Sequence, residues 1–144
     1  ELGADACIDY KAGPVLPQLA EAAPDGIDVY FDNVGGDHLD AAFAVARNFA
    51  RFAICGMIDR YNDTDGGVEY KYLIRTIPAR IRMQGFIFTD YAAHMMEFLG
   101  EMGPWVMNGD MKMRETVHHG IDTAFDAFLG LFSGANTGKM LVKL

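Results

Sequence analysis

The chain has 144 residues, of which 51% are hydrophobic and 22% charged, which is enough apolar material for the core of one ordinary domain. Its formal net charge of −8 disfavours nucleic acid or an anionic membrane as the main partner, because the average field repels both. No apolar run approaches the roughly 18 residues that cross a bilayer, and nothing at the start resembles a signal peptide. These features predict a cytoplasmic globular protein.

The two cysteines stand apart in the sequence, and neither belongs to a C-x-x-C pair or to a cluster with histidine. Cys7 and Cys55 therefore predict no disulfide framework and no zinc site, and both thiols are expected to be buried. His118 and His119 are neighbours, but adjacent side chains rarely face one metal ion. The sequence predicts no metal site.

The first residues have the pattern of an α/β unit. Glu1 and Leu2 are typical of the last turn of a helix, Gly3 of its C-terminal cap, and residues 6–10 of the strand that follows. The body of that helix is missing and the chain does not begin with Met. We therefore expect it to be a downstream piece of a longer protein.

Helical and strand patterns alternate through the next part of the chain. A helix is predicted to begin near Pro17. Residues 27–34 are the clearest strand, since they are rich in β-branched and aromatic side chains and apolar on both faces apart from Asp28, Asp32 and Asn33. Asp37 is placed to cap the following helix, whose apolar face would extend to Phe49. Residues 51–58 predict another buried strand.

The alternation pauses in a polar loop at residues 59–72 and then continues to the end of the chain. A helix is expected from about Tyr70, disturbed by Pro78. Residues 80–88 predict a strand, and residues 93–108 predict a helix with one buried apolar side. The last segments predict a strand at residues 111–117, a helix at residues 123–132 and a strand at residues 138–144.

This order of elements is typical of an α/β fold with a doubly wound parallel sheet. Ligands of such sheets lie beyond the carboxyl ends of the strands, near the point where the strand order reverses. Three predicted strand ends therefore carry candidate binding residues: Tyr10, then Asn33 with Gly35 and Gly36, then Cys55 with Gly56 and Met57.

Five motifs carry a resemblance to a known family. They are IDYK, PDGIDVYFDNVGG, CGMIDRYN, MQGFIF and GANTGKMLVKL. In the same order and with similar spacing, they resemble the zinc-independent, NADPH-dependent reductases of the medium-chain dehydrogenase/reductase superfamily. The resemblance is strongest to the group of leukotriene B4 dehydrogenase, prostaglandin reductase and curcumin reductase, and it covers essentially the whole chain.

The resemblance implies a particular domain organisation. Residues 1–110 would be the C-terminal part of a Rossmann domain that binds NADP. Residues 111–144 would be the segment that returns to a GroES-like catalytic domain. Most of that catalytic domain and the first half of the Rossmann domain would lie outside the chain, so the chain alone is expected to be inactive.

The resemblance also implies a reaction. NADPH would saturate the carbon–carbon double bond of an α,β-unsaturated ketone or aldehyde, in a homodimer joined through the strand at Arg80 to Phe88. Two alternatives stay open. One is a quinone oxidoreductase of the same superfamily, and the other is a dinucleotide-binding relative that has lost catalysis.

Matching the family motifs position by position implies a set of site residues. Those expected to bind NADPH are Tyr10, Asn33, Cys55, Gly56, Met57, Ile58, Tyr61, Phe86, Ile87, Phe88 and Asn136. Tyr61 is also expected to be catalytic, because a phenol at the substrate carbonyl can donate a hydrogen bond to the developing enolate. Ordinary alternatives remain, namely an exposed loop tyrosine at 61, turn residues at 33 and 136, and a glycine bulge at 56.

Overall fold

The structure, a computed structural model, describes residues 3–62, 64 and 67–144. The helix end predicted at Glu1 and Leu2 lies outside these residues. The chain divides into two compact units, one formed by Ala4–Ala93 and the other containing His94–Leu144. In the described part of the chain, no helix combines the length and apolarity that crossing a membrane requires.

A three-stranded parallel sheet in the order β1-β2-β3 is the centre of the unit Ala4–Ala93. The elements are α1 (Val15–Ala22), β1 (Ile27–Asp32), α2 (Gly36–Val45), β2 (Ala46–Ile54) and β3 (Arg82–Gly85). Parallel neighbours cannot be joined by a tight hairpin, so α2 forms the crossover between β1 and β2. The predicted α/β fold with a parallel sheet is confirmed.

Helix α2 packs on one face of the sheet and forms the core with it. Phe43 and Phe52 are at most 2% exposed, and their ring centroids lie 5.2 Å apart. Burying a large apolar side chain contributes about 1.5–3 kcal/mol, so this pair anchors α2 to β2. Successive strand residues point to opposite faces. On the other face, Val29 and Phe31 remain 59% and 58% exposed.

The strand predicted at residues 6–10 does not form. A strand requires a hydrogen-bonded neighbour, and within the described residues β1 pairs only with β2. The segment turns toward α1 instead, since the carbonyl oxygen of Asp9 accepts hydrogen bonds from the Ala12 N–H and the Gln18 side chain. The helix predicted near Pro17 is present as α1 and begins at Val15.

Helix α2 begins and ends at other residues than predicted. Gly35, with φ 75°, occupies the N-cap position, and Asp37 makes no capping hydrogen bond but lies in the first turn. The helix ends at Val45, so Phe49 belongs to β2, where its side chain is 68% exposed and lies 4.4 Å from the Arg80 guanidinium. The apolar spacing predicted a helix as far as Phe49, but the residues from Ala46 onward hydrogen-bond in the sheet as part of β2.

The other strands of this unit end earlier than predicted, and β2 also begins earlier, at Ala46 instead of residue 51. Strand β2 ends at Ile54, because the next two N–H groups both donate to the carbonyl oxygen of Asp32 and leave the ladder. Strand β3 occupies only Arg82–Gly85 of the predicted residues 80–88. The helix expected from Tyr70 is reduced to one 3₁₀ helix at Leu73–Thr76.

The second unit contains two helices and a two-stranded parallel sheet. Its elements are α3 (Met95–Met107), β4 (Glu115–His119), α4 (Ala124–Ser133) and β5 (Lys139–Lys143). The predicted buried side of α3 is wrong, because Phe98 is 54% and Trp105 42% exposed. Two short strands offer too little apolar area to cover a helix of 13 residues.

Candidate functional site

The loops that follow β1 and β2 are joined by backbone hydrogen bonds. The Cys55 N–H donates to the carbonyl oxygen of Asp32 at 2.8 Å, and the Ile58 N–H donates to that of Asn33 at 3.2 Å. A further bond at 3.0 Å joins the Asp59 N–H to the Val34 carbonyl oxygen. The two loops therefore form one continuous surface at the carboxyl ends of two adjacent parallel strands.

Tyr61 closes this surface over Gly56. The Met57 N–H donates a hydrogen bond to the Tyr61 hydroxyl oxygen at 3.4 Å. A Cβ atom at Gly56 would lie 3.2 Å from that oxygen and 3.4 Å from the carbonyl oxygen of Asn33. The structure thus brings together Asn33, Gly56, Met57 and Tyr61, and the Tyr61 side chain remains 69% exposed.

Gly35 allows the first loop to pass closely against the second. Its φ of 75° lies in the region that side-chain-bearing residues avoid. A Cβ atom there would also lie 2.9 Å from the Cβ of Met57. The glycine pair after Asn33 therefore serves a sharp turn and a close approach of two backbones together.

Asp32 is a buried carboxylate beneath this surface, and sequence reasoning missed it. It is 1% exposed, and its Oδ1 accepts hydrogen bonds from the Val34 N–H at 2.8 Å and the Gly35 N–H at 2.9 Å. Its Oδ2 is buried without a hydrogen bond from any described residue. Its position in the strand was a usable signal, since an acidic residue two places after the core-facing Tyr30 must face the core.

Tyr30 lies beside this carboxylate in the core. Burial raises the pKa of its phenol strongly, and the charge of Asp32 raises the pKa further. Its ring also packs edge-on against Phe52, with 5.2 Å between centroids. The phenol therefore stays protonated, which leaves it able to donate a hydrogen bond toward the buried acid.

A cleft of about 660 Å³ opens beside the joined loops. Its lining residues are Tyr10, Gly13, Pro14, Val15, Val34, Asp37, His38, Ile58 and Asp59. The Tyr10 and His38 rings meet edge to face at 5.4 Å, and the Lys11 ammonium lies 5.9 Å from the Tyr10 ring centroid. The structure thus places Tyr10 and Ile58 at one cleft and adds His38, which the sequence did not single out.

The predicted residues after β3 lie at the open face of the sheet. The Phe86 N–H donates to the Ile54 carbonyl oxygen at 3.1 Å, and the Phe86 ring lies 6.0 Å from that of Phe31. Phe86 also lines a second cleft of about 530 Å³, whereas Ile87 and Phe88 line neither cleft and are 64% and 61% exposed. The structure does not bring these last two together with Tyr61.

Asn136 belongs to the second unit, in the turn between α4 and β5. Its side-chain amide donates to the carbonyl oxygen of Gly138 at 2.7 Å. Cys55 is half-buried at its strand end, whereas Cys7 is exposed and its predicted burial is wrong. Among the described residues, no group of three or more His, Cys, Asp or Glu side chains is arranged to hold a metal ion.

Comparison with known proteins decides the family. Residues 2–142 match the family model described as zinc-binding dehydrogenase. The chain belongs to the zinc-binding dehydrogenase family. The match covers residues of both compact units. The joined loops and the segment around Asn136 therefore both lie within the sequence that the family model matches.

Several relatives within the zinc-binding dehydrogenase family are close. The chain is 39% identical to the NADPH-dependent curcumin reductase of Escherichia coli (strain K12), covering 99% of this chain and 43% of the relative. It is 40% identical to the NADP(+)-dependent 2-alkenal reductase of Nicotiana tabacum, covering 99% of this chain and 41% of that protein. The chain therefore spans less than half the length of these relatives.

A solved structure supports the same placement. The crystal structure of CurA in complex with NADPH from Vibrio vulnificus superposes with a TM-score of 0.85 at 41% sequence identity, covering 98% of this chain and 43% of CurA. The Rossmann-like α/β fold expected from the sequence is confirmed. So is the resemblance to the enone-reductase group within the family.

Proposed function

We propose that this chain is part of an NADPH-dependent reductase that saturates the carbon–carbon double bond of α,β-unsaturated ketones or aldehydes. The observation that carries the proposal is the Tyr61 hydroxyl, held beside Gly56 and Asn33 at the carboxyl ends of β1 and β2. In open α/β sheets, this is the edge where ligands bind. The relatives named above are reductases of the corresponding kind.

The loops at this edge fit a dinucleotide. Gly56 has no side chain above the sheet edge, and the cleft beside Val34 and Ile58 is lined by Tyr10, whose ring centroid lies 5.9 Å from the Lys11 ammonium. We assign NADPH binding to the residues named from the sequence: Tyr10, Asn33, Cys55, Gly56, Met57, Ile58, Tyr61, Phe86, Ile87, Phe88 and Asn136. When bound, NADPH supplies the hydride that reaches the β-carbon of the substrate.

Tyr61 is the proposed catalytic residue. Its hydroxyl oxygen accepts the Met57 N–H, which leaves the phenolic proton free to be donated outward from an exposed side chain. A hydrogen bond from this proton to the substrate carbonyl oxygen would stabilise the negative charge that develops there. Removing one such donor from a preorganised, water-excluded site costs about 3–4 kcal/mol in transition-state stabilisation, and we expect a smaller loss at Tyr61 because its side chain is exposed.

The proposal extends to the whole protein. Residues 1–110 are assigned to the NADP-binding domain and residues 111–144 to the return segment of the catalytic domain. We further propose a zinc-independent, cytoplasmic homodimer joined along the segment from Arg80 to Phe88. Strand β3, which lies in this segment, pairs with β2 alone among the described residues, and an unpaired strand edge is a ready site for a second strand.

Turnover by the full-length protein tests the function. NADPH oxidation is followed at equal concentrations of a simple enone and of a quinone, with the 144-residue chain alone as a second sample. The proposal expects oxidation with the enone by the full-length protein only. Turnover confined to the quinone would move the protein to the quinone oxidoreductases, and no turnover with either would favour a relative without catalysis.

A further inference from the structure

Asp32 contacts both halves of the candidate site from below, through its carboxylate on the first loop and through its backbone carbonyl on the second. Its Oδ1 holds the Val34 and Gly35 N–H groups at 2.8 and 2.9 Å. Its backbone carbonyl oxygen accepts the Cys55 and Gly56 N–H groups at 2.8 and 3.1 Å. Four backbone donors from two loops thus converge on one residue that is 1% exposed.

We propose that Asp32 is a positioning residue for the NADPH site, and that its side chain fixes the turn that presents Asn33 beside Gly56 and Tyr61. The inference rests on the proposed function, since it assigns the turn to cofactor binding. Asp32 does not face the cleft itself. It acts through the backbone of the turn. The carbonyl oxygens of Asn33 and Val34 accept hydrogen bonds from the Ile58 and Asp59 N–H groups and so fix the position of the second loop.

The second carboxylate oxygen of Asp32 makes this residue costly to bury. Oδ2 is buried and receives no hydrogen bond from the described residues. A buried acceptor without a partner is unfavourable, and an apolar residue at this position would avoid it. The two N–H bonds to Oδ1 and the protonated Tyr30 phenol beside the carboxylate offset that penalty. The bonds to Oδ1 hold residues 33–35 in one defined backbone conformation.

Substitutions at Asp32, with Asp28 as the control, test this assignment. Asp32→Asn keeps one acceptor oxygen for the Val34 and Gly35 N–H groups but removes the charge that strengthens both bonds. Asp32→Ala removes both bonds. Asp28 is a matched control, because it is a carboxylate on the same strand that is 62% exposed and paired with Arg47 at 2.9 Å.

The experiment measures the dissociation constant of NADPH by fluorescence for the full-length wild type, Asp32→Ala, Asp32→Asn and Asp28→Ala. The kcat at saturating NADPH and the thermal midpoint are measured in parallel. We expect Asp32→Ala to weaken NADPH binding about tenfold or more and Asp32→Asn about threefold, a graded loss consistent with two charge-assisted hydrogen bonds. The kcat at saturating NADPH is expected to fall less than the affinity for NADPH, because Asp32 acts through the turn, and Asp28→Ala is expected to bind NADPH normally.

Wild-type NADPH affinity in a folded Asp32→Ala variant would overturn the inference, even if its thermal midpoint falls. Should Asp32→Ala fail to fold, Asp32→Asn decides by the same rule: weaker NADPH binding at a temperature far below its midpoint supports the positioning role, and unchanged binding refutes it. A wild-type protein that does not bind NADPH would refute the proposed function and this inference together.

Discussion

The hydroxyl oxygen of Tyr61 accepts a hydrogen bond from the backbone N–H of Met57 at 3.4 Å. This long contact holds the phenol over the end of β2 without using its proton. The arrangement suits a residue whose donor is reserved for a substrate.

Tyr61→Phe removes this donor while keeping the ring. In the full-length protein we expect kcat with an enone to fall several-fold or more, because the developing negative charge loses one hydrogen bond. NADPH binding should persist, since the loops are joined by backbone bonds that the substitution leaves intact. Steady-state kinetics measure the change in kcat, and a binding titration measures the affinity for NADPH. Unchanged turnover would show that Tyr61 is not catalytic.

Gly56→Ala places a methyl group in the space beneath the phenol. It would lie in ordinary contact with the Asn33 carbonyl oxygen, at 3.4 Å, and 3.2 Å from the Tyr61 hydroxyl oxygen, which must move by a few tenths of an ångström. We expect at least tenfold weaker NADPH binding, about 1.4 kcal/mol. Gly100→Ala is the matched control, because a Cβ atom there meets nothing within 4 Å on helix α3. Equal affinity in both variants would contradict the assignment of Gly56.

Gly35→Ala tests the conformation of the first loop. Its φ of 75° and the Cβ of Met57 at 2.9 Å oppose any side chain, and we expect the free energy of unfolding to fall by roughly 2–4 kcal/mol. Gly109→Ala separates the two causes, since Gly109 has φ 84° with nothing within 4 Å of a Cβ atom. Urea unfolding should show a clearly smaller loss for Gly109→Ala.

The buried phenol of Tyr30 predicts a dependence of stability on alkaline pH. Burial and the Asp32 charge raise its pKa in the folded chain, so above about pH 10 the folded state binds more protons than the unfolded state. The stabilisation is fully present below that pH and is lost as the pH rises further. Urea unfolding between pH 8 and 11 should give a shallower decline for Tyr30→Phe than for wild type.

An exposed tyrosine provides the control for that series. Tyr91 is 50% exposed, and Tyr91→Phe should retain the wild-type decline with pH. If Tyr30→Phe and wild type lose stability in parallel above pH 10, the phenol does not retain its proton as the structure implies.

Local sequence patterns were sufficient to predict an element where its own residues determine its secondary structure. Strand β1 and helix α1 lie close to their predicted positions, and the joined loops contain the predicted Asn33, Gly56 and Tyr61. Sequence patterns failed where an element depends on another segment that pairs with it or packs against it. Residues 6–10 have strand composition but no neighbour to pair with among the described residues, and the apolar side of α3 has no covering layer in its own unit.

Side-chain geometry was the part of the site that the sequence could not supply. His38 contacts Tyr10 only because the first turn of α2 faces the turn before α1, and no spacing in the sequence encodes that contact. Asp32 was within reach, because strand alternation alone points it toward the core. Its two bonds to the following N–H groups depend on the turn that Gly35 permits.

The most direct test of the central claim is the fate of the transferred hydride. The full-length protein is incubated with NADPH that carries deuterium on the nicotinamide C4 position, in each of its two stereochemical forms, and a simple enone. We expect one form to give a saturated ketone with deuterium at the β-carbon, as read by NMR and mass spectrometry. Deuterium on the former carbonyl carbon of an alcohol, or NADPH oxidation with no deuterium in the product, would contradict it.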